Sequence, residues 1–297
     1  MLSFTCTNCS AEMSISRIGM LACPYCNAKK FFTDSELNQY RIFRKRMLEF
    51  ISASAQSEEG VMHAERLWAD AENTQFTDMN GDDIRIEYIY RCVEDGITVY
   101  TARRNILYHI SEEKRDCAEL MLRNIARLTY PQADMKGLAQ CFPKFAGRFV
   151  LQDGSLLLVF EKRENFYPAA MFGELSAKHV EWIISRMENI ACVLTYSELE
   201  HGGINPDAVF INPWTHEAAL FGSWHRVRTT QTAETPDLKG IRDTAKSLLG
   251  EGIQTAPAPL LEFIEGKPGK DAYEDFAIWD EVIEKKLGGR HFTKFEL

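Results

Sequence analysis

Cys6 and Cys9 stand two residues apart, as do Cys23 and Cys26, and thirteen residues separate the pairs. Each pair fits on one tight turn, and two facing turns aim four thiolates at one point, the tetrahedral all-sulfur setting that Zn²⁺ favours. The second pair reads CPYC with Asn27 after it. Pro24 and Asn27 suit a turn whose freed backbone amides donate to sulfur. Four protein ligands leave no open position for water, so the expected ion is structural Zn²⁺ and hydrolysis is disfavoured. The rival readings are unrelated buried cysteines or a redox dithiol, which sits at a helix start in a βαβ setting and needs no matching second pair. Cys92, Cys117, Cys141 and Cys192 stand singly and read as core thiols.

Basic residues follow at once. Lys29 and Lys30 come next, then Arg41, Arg44, Lys45 and Arg46, the single basic cluster legible in a chain of net charge −9. Nucleic-acid contact would use Lys29, Lys30, Arg41, Arg44 and Arg46; a solvated helix face is the plainer alternative. The overall acidity argues against a nucleic-acid surface covering the whole molecule. No apolar run reaches eighteen residues, so no membrane span is expected. MLSFTCTNCS lacks a basic region followed by an apolar one, so the expectation is a protein without a secretory signal, working in a reducing cytoplasm.

The elements that position these groups divide into three zones. Residues 1–32 are a candidate zinc ribbon, too small to fold on buried apolar area alone, so metal would supply much of its folding energy. Residues 33–83 read as a helical linker. Thr33 and Glu36 match a capping box, with Leu37, Tyr40, Phe43, Met47 and Ile51 at helical spacing. A second helix is expected around Glu58–Asn73, presenting Val61, Ala64, Leu67 and Ala71, and the polar stretch Thr74–Asp83 suits a connector. Residues 84–297 turn α+β. Strands are expected at Ile84–Val93 and Ile97–His109 around Glu94-Asp95-Gly96, a helix at Ser111–Leu128, and a hairpin around Asp153-Gly154. Helices follow at Ala177–Ser197, Leu238–Leu249, Pro259–Glu265 and Ala272–Lys286.

Within the last zone, His201-Gly202-Gly203-Ile204-Asn205-Pro206-Asp207-Ala208-Val209-Phe210-Ile211 resembles the catalytic loop of protein kinases. The order of elements around it is similar too, with Leu158–Glu161 like a hinge strand. Asp237-Leu238-x2-Ile241-x7-Leu249 resembles the central helix of the second lobe, with Asp237 as its structural anchor. The resemblance implies a bilobal protein-kinase-like fold over residues 84–297; the alternative is a chance loop-strand match in another α+β fold. It also implies a set of losses. Gly203 stands where the proton-accepting aspartate belongs, Asn205 at the loop lysine, and Ala208 at the metal-binding asparagine. The metal-binding aspartate falls at Leu220 in one register and Gly222 in the other. The phosphate-covering loop is reduced to Val93-Glu94-Asp95-Gly96, the strand lysine to Tyr108 or His109, and Glu119 sits two residues off the helix acid. Without these groups Mg²⁺ lacks protein oxygens and a triphosphate lacks counter-charge, so no Mg-ATP is expected. His201 is then a packing residue. Asp271–Glu274, Trp279–Val282 and Leu287–Phe292 are similar to the tail of bacterial and phage proteins that join a zinc ribbon to a degenerate kinase domain.

The functional expectation is a pseudokinase with no catalytic residues: a scaffold or regulatory module whose ribbon docks a protein partner. The alternatives are a zinc-ribbon nucleic-acid regulator, or a kinase-fold enzyme with rewired nucleotide chemistry through Asp207, Asp95 or Glu94.

Overall fold

Four strands of three residues frame the two cysteine pairs. Ser3–Thr5 (β1) pairs with Glu12–Ser14 (β2), and Met20–Ala22 (β3) with Lys29–Phe31 (β4), both antiparallel. A computed structural model of the chain describes residues 3–10, 12–14, 20–23, 26–52, 66–130, 134–230 and 236–295. Pro24 lies outside them, as do residues 58–65 of the expected second helix. The fold is α+β, gathered into two compact units: Met1–Arg115 with Lys144–Glu164, and Asp116–Pro143 with Asn165–Leu297.

In the first unit, the capping box expected at Thr33 closes in both directions. Thr33 N–H donates to Glu36 Oε2 (2.9 Å), Glu36 N–H donates to Thr33 Oγ1 (3.3 Å), and helix α1 runs from Asp34 to Ser52. Tyr40, Met47 and Ile51 are its buried face. Among the described residues of the supposed linker after Ser52, only Arg66 and Leu67 are helical, and the chain then turns to strand. Glu72–Thr77 (β5) and Asp83–Tyr88 (β6) form an antiparallel pair. Their turn is knitted by Asp78 Oδ1, which accepts the N–H groups of Asn80 (2.9 Å) and Asp82 (3.0 Å), with Gly81 at φ +83°. Period-two burial of Ile84, Ile86 and Tyr88 then drives β6 onto the core.

A five-stranded antiparallel sheet follows. Its strands are Tyr90–Glu94 (β7), Ile97–Thr101 (β8), Asn105–Ile110 (β9), Lys144–Val150 (β10) and Leu156–Glu161 (β11), in the order β10-β11-β9-β8-β7. Each long strand expected from the sequence is broken once, at Ile89 and at Ala102–Arg104. The two tight turns match the sequence signals, with Asp95 and Gly96 both at positive φ and Gly154 at +85°. One face of the sheet carries Tyr100, Leu107, Leu157 and Val159, and these share a core with Met47 and Ile51 of α1 and Ile84 and Ile86 of β6. Met47, Ile51 and Phe76 of the stretch 33–83 therefore belong to this core. A linker would have left those side chains in water.

The second unit is mainly helical. Helix α2 (Arg115–Ile125) leads into it after a 3₁₀ turn at Glu112–Lys114. Then come Tyr167–Pro168 (β12), α3 (Ala177–Tyr196), Leu199–Glu200 (β13), Val209–Asn212 (β14), Glu217–Leu220 (β15), Arg228–Thr229 (β16), α4 (Pro236–Leu249), α5 (Ala258–Glu265) and α6 (Ala272–Glu281). Strands β12, β14 and β15 form one small sheet, and β13 pairs with β16. Helix α3 buries residues on almost every side, from Val180 to Leu194, and packs against α4 and α6. Among the described residues, no helix is long and apolar enough to cross a membrane.

Candidate functional site

Local backbone geometry assembles the cysteine centre. Ser10 N–H donates to Cys6 O and Asn27 N–H to Cys23 O, each at 2.9 Å. Ser10 and Asn27 both adopt left-handed backbone (φ +58° and +57°). The two pairs thus sit on matching turns, and the residue after each second cysteine is one of the polar types that tolerate this conformation. All four Sγ atoms lie within 4.8 Å of one another. Cys6 and Cys26 approach to 3.6 Å and Cys9 and Cys23 to 3.5 Å, too long for disulfides. These spacings approach the edge of roughly 3.8 Å that a tetrahedron with ~2.3 Å metal–sulfur bonds requires. Backbone N–H groups of Cys9 and Asn8 hold the Cys6 thiol below its ordinary pKa. The Asn8 side chain, followed by the Ala28 backbone, draws Cys26 down to about 6. Donors that stabilise thiolates are what a thiolate-bound cation needs. The residues fit a tetrahedral metal ion.

Of the basic cluster, Arg44 does not reach solvent. It is buried, and its guanidinium closes on Asp78 and Asp82, tying α1 to the β5–β6 turn. A nucleic-acid contact through Arg44 is thereby corrected, because leaving those acids would strand a buried charge. Lys30 pairs with Glu36 at 3.0 Å, while Lys29, Arg41 and Arg46 are exposed.

In the second unit, the loop from His201 to Val209 hangs from the first turn of α4. Asp237 accepts the N–H of His201 at Oδ2 (2.9 Å) and that of Gly202 at Oδ1 (2.7 Å). Burial, opposed by those two donors, raises Asp237 to about 6. His201 is fully buried, its ring edge-on to Trp224 at 5.1 Å, and burial pushes its pKa to about 4. It is a neutral packing group at physiological pH. Asn205 Oδ1 accepts the N–H groups of Asp207 (2.9 Å) and Ala208 (3.0 Å), so its amide closes the loop's own turn. Ala208 is buried and Gly203 half-buried. The β14–β15 ladder sets Val209 opposite Leu220, and Phe221 N–H donates to Ala208 O (2.9 Å), so Phe221 is the residue facing Ala208. Its ring rests on Phe210 at 4.8 Å. Gly222 has φ +85°, and a Cβ there would stand 2.7 Å from the Ala208 Cβ. A carboxylate has no room at that position.

In the first unit, Tyr108 and His109 point to opposite faces of β9. Tyr108 meets Phe160 at 5.4 Å, whereas His109 lies against Phe76 at 4.8 Å and within 2.9 Å of Ser155 Oγ. At the turn Glu94-Asp95-Gly96, the Lys114 ammonium donates to Asp95 O.

Several functional-looking groups escaped the sequence pattern. Lys162, just past β11, is buried; its ammonium donates to Arg103 O (2.8 Å), and burial lowers it to about 7. Asn124 on α2 donates to both Trp224 O and Val227 O at 2.9 Å, clamping the segment after Gly222. Arg242 forks onto Asp275 at 2.7 and 2.8 Å in a buried pair, while Glu188, against that pair, is pushed by burial to about 9.

No protein-family model matches the chain, and no curated protein matches it. Solved structures do. The bifunctional kinase-methyltransferase WbdD is 14% identical, with 70% of this chain and 50% of that one covered and a TM-score of 0.46. The chain spans about half the length of WbdD. Vaccinia related kinase 3 is 14% identical, with 82% of this chain and 97% of that one covered and a TM-score of 0.49. These are likenesses of fold. At such scores neither says anything about chemistry in this chain, which rests on its own loop and turns.

Proposed function

We propose that this protein is a pseudokinase: a kinase-like chain that does not transfer phosphoryl groups and serves as an interaction module, with a zinc-bearing cysteine centre that docks a partner. One observation carries the reading. In the 201–209 loop, the position of the proton acceptor is Gly203, the Asn205 amide is committed to its own turn, and the metal-ligand position is the buried Ala208 with Phe221 across the ladder. The one carboxylate in that stretch, Asp207, sits on the exposed side. Meanwhile the anchor between Asp237 and the loop is intact, which supports a kinase-like body kept for its shape. The metal is Zn²⁺ in this reading because four thiolates at tetrahedral spacing suit it. Cys6, Cys9, Cys23 and Cys26 would hold it, and its contribution is to lock the two turns together.

The test is differential scanning fluorimetry of the full chain with and without Mg·ATP. No change in Tm is expected; a rise that disappears when EDTA is added would overturn the proposal. Incorporation of label from γ- or α-labelled ATP, lost in Asp207→Asn, would instead favour the rewired enzyme.

A second reading, nucleic-acid binding at the cysteine unit, is favoured by Phe31, 75% exposed on β4 beside exposed Lys29. An exposed ring among cations is what a stacking contact uses. It predicts binding that weakens steeply with salt, and no binding to a single-stranded oligonucleotide at low salt removes it.

A further inference from the structure

A groove of about 1200 Å³ runs between α4, the segment Gly266–Lys270 and the outer side of α6. Among the described residues its lining holds six basic ones, Arg228, Lys239, Arg242, Lys246, Lys267 and Lys270, against three acids, Glu200, Asp243 and Glu274. That is the reverse of the chain's overall charge of −9. Arg228 is engaged by Glu200 at 2.7 Å, and Arg242 by Asp275 beneath the floor. No acid closes on the ammonium groups of Lys239, Lys246, Lys267 and Lys270 among the described residues. An excess of like charge gathered on one concave surface raises the local potential and draws an anion.

The size and floor of the groove select the kind of anion. Lys239 and Lys246 stand seven residues apart on α4, about 10 Å along the axis, a span that three residues of extended chain cover. Ile264 and Ile278, with Pro236 and Pro268, give an apolar floor, and Ile278 is 41% exposed. Among the described residues no aromatic ring lines the groove, which gives them no platform on which single-stranded bases stack. We infer that the groove is a docking site for an extended acidic segment of a partner protein, its carboxylates on the four lysines and an aliphatic side chain on Ile278. This deepens the interaction reading above and rests on it; the experiment leaves the cysteine centre and nucleotide binding untouched, so either can fail without the other.

The experiment is fluorescence anisotropy of a labelled peptide, alternating glutamate and leucine, titrated with the full-length protein at low salt. Binding is expected, with affinity lowered about tenfold in Lys239→Glu/Lys246→Glu and Tm unchanged. A control, Lys45→Glu/Lys144→Glu, makes the same charge change at two exposed lysines outside the groove and should bind like wild type. Equal loss in the control would reduce the effect to net charge and overturn the inference, as would no binding by wild type. Tighter binding of a labelled oligothymidylate, lost in the groove variant, would also overturn it in favour of nucleic acid.

Discussion

Replacing Asp237 by alanine should cost more stability than any other single exposed-loop or cap change in the second unit. Two backbone N–H groups lose their acceptor at once: that of His201 at 2.9 Å, in a fully buried residue, and that of Gly202 at 2.7 Å. A hydrogen bond to a charged group contributes ~1.5–3 kcal/mol, so the pair is worth roughly 3–6 kcal/mol. That is a large share of the about 5–15 kcal/mol of a whole domain. Asp237→Asn keeps one acceptor oxygen and turns an amide toward the other N–H, and should fall about midway. Asp243→Ala, exposed on the same helix, should stay within ~0.5 kcal/mol. The pH dependence has a definite sign. The native pKa of about 6 lies above the ~3.9 of a free aspartate. The native state therefore holds this proton more tightly; the stability that comes from the proton is complete below that free value and is lost as pH rises through 6, where the ionised carboxylate still accepts both N–H groups. Urea unfolding monitored by tryptophan fluorescence, at pH 4.5 and 7.5, measures both effects. Asp237→Ala unfolding within ~1 kcal/mol of wild type at both pH values would refute the anchor.

Four further outcomes are expected. Cys23→Ser or Cys26→Ser should abolish the bound zinc measured by plasma emission, and undiminished metal in either would remove the ligand assignment. Glu188→Gln should be nearly neutral at pH 7, since burial already holds Glu188 protonated with a pKa of about 9. Because that pKa is raised, wild type should lose urea resistance as pH climbs through 9, and the variant should not. Arg242→Met should cost about 3–5 kcal/mol by stranding buried Asp275, with much of it recovered in Arg242→Met/Asp275→Leu; a thermal melt of both variants decides it. Gly222→Ala should cost at least ~1 kcal/mol, because it meets both a positive φ and the Ala208 Cβ, and an unchanged melting curve would contradict the packing described for that turn.

What the sequence made legible was local. The paired cysteines, the capping box at Thr33, the Asp95-Gly96 and Asp153-Gly154 turns and the position of Asp237 are each written within a few residues. The β5–β6 hairpin was harder, because Thr74–Asp83 looks polar; the signal was Asn80-Gly81 followed by alternating Ile84, Ile86 and Tyr88. Buried charges escaped altogether. Periodicity treats Arg44, Lys162, Glu188 and Arg242 as solvent-facing, and only the partners brought from 33 or more positions away, Asp78 for Arg44 and Asp275 for Arg242, explain why they are not. The lysine groove was hidden for a related reason. Its cations come singly from α4 and the loop before α6, so no run of basic residues betrays it.

The sheet-rich unit is assembled from two stretches of chain, with residues 116–143 between them serving the other unit. Strand β9 pairs with β11 along its whole length, from Ile110 opposite Leu156 to Asn105 opposite Glu161. During synthesis, then, Ile106 to Ile110 must wait as a bare apolar edge for some fifty residues until β11 leaves the ribosome, the kind of edge other chains can add to. A nascent chain arrested after β9 has emerged but before β11 has left the ribosome should be the aggregation-prone species of this protein, and slower elongation over that stretch should lower its yield.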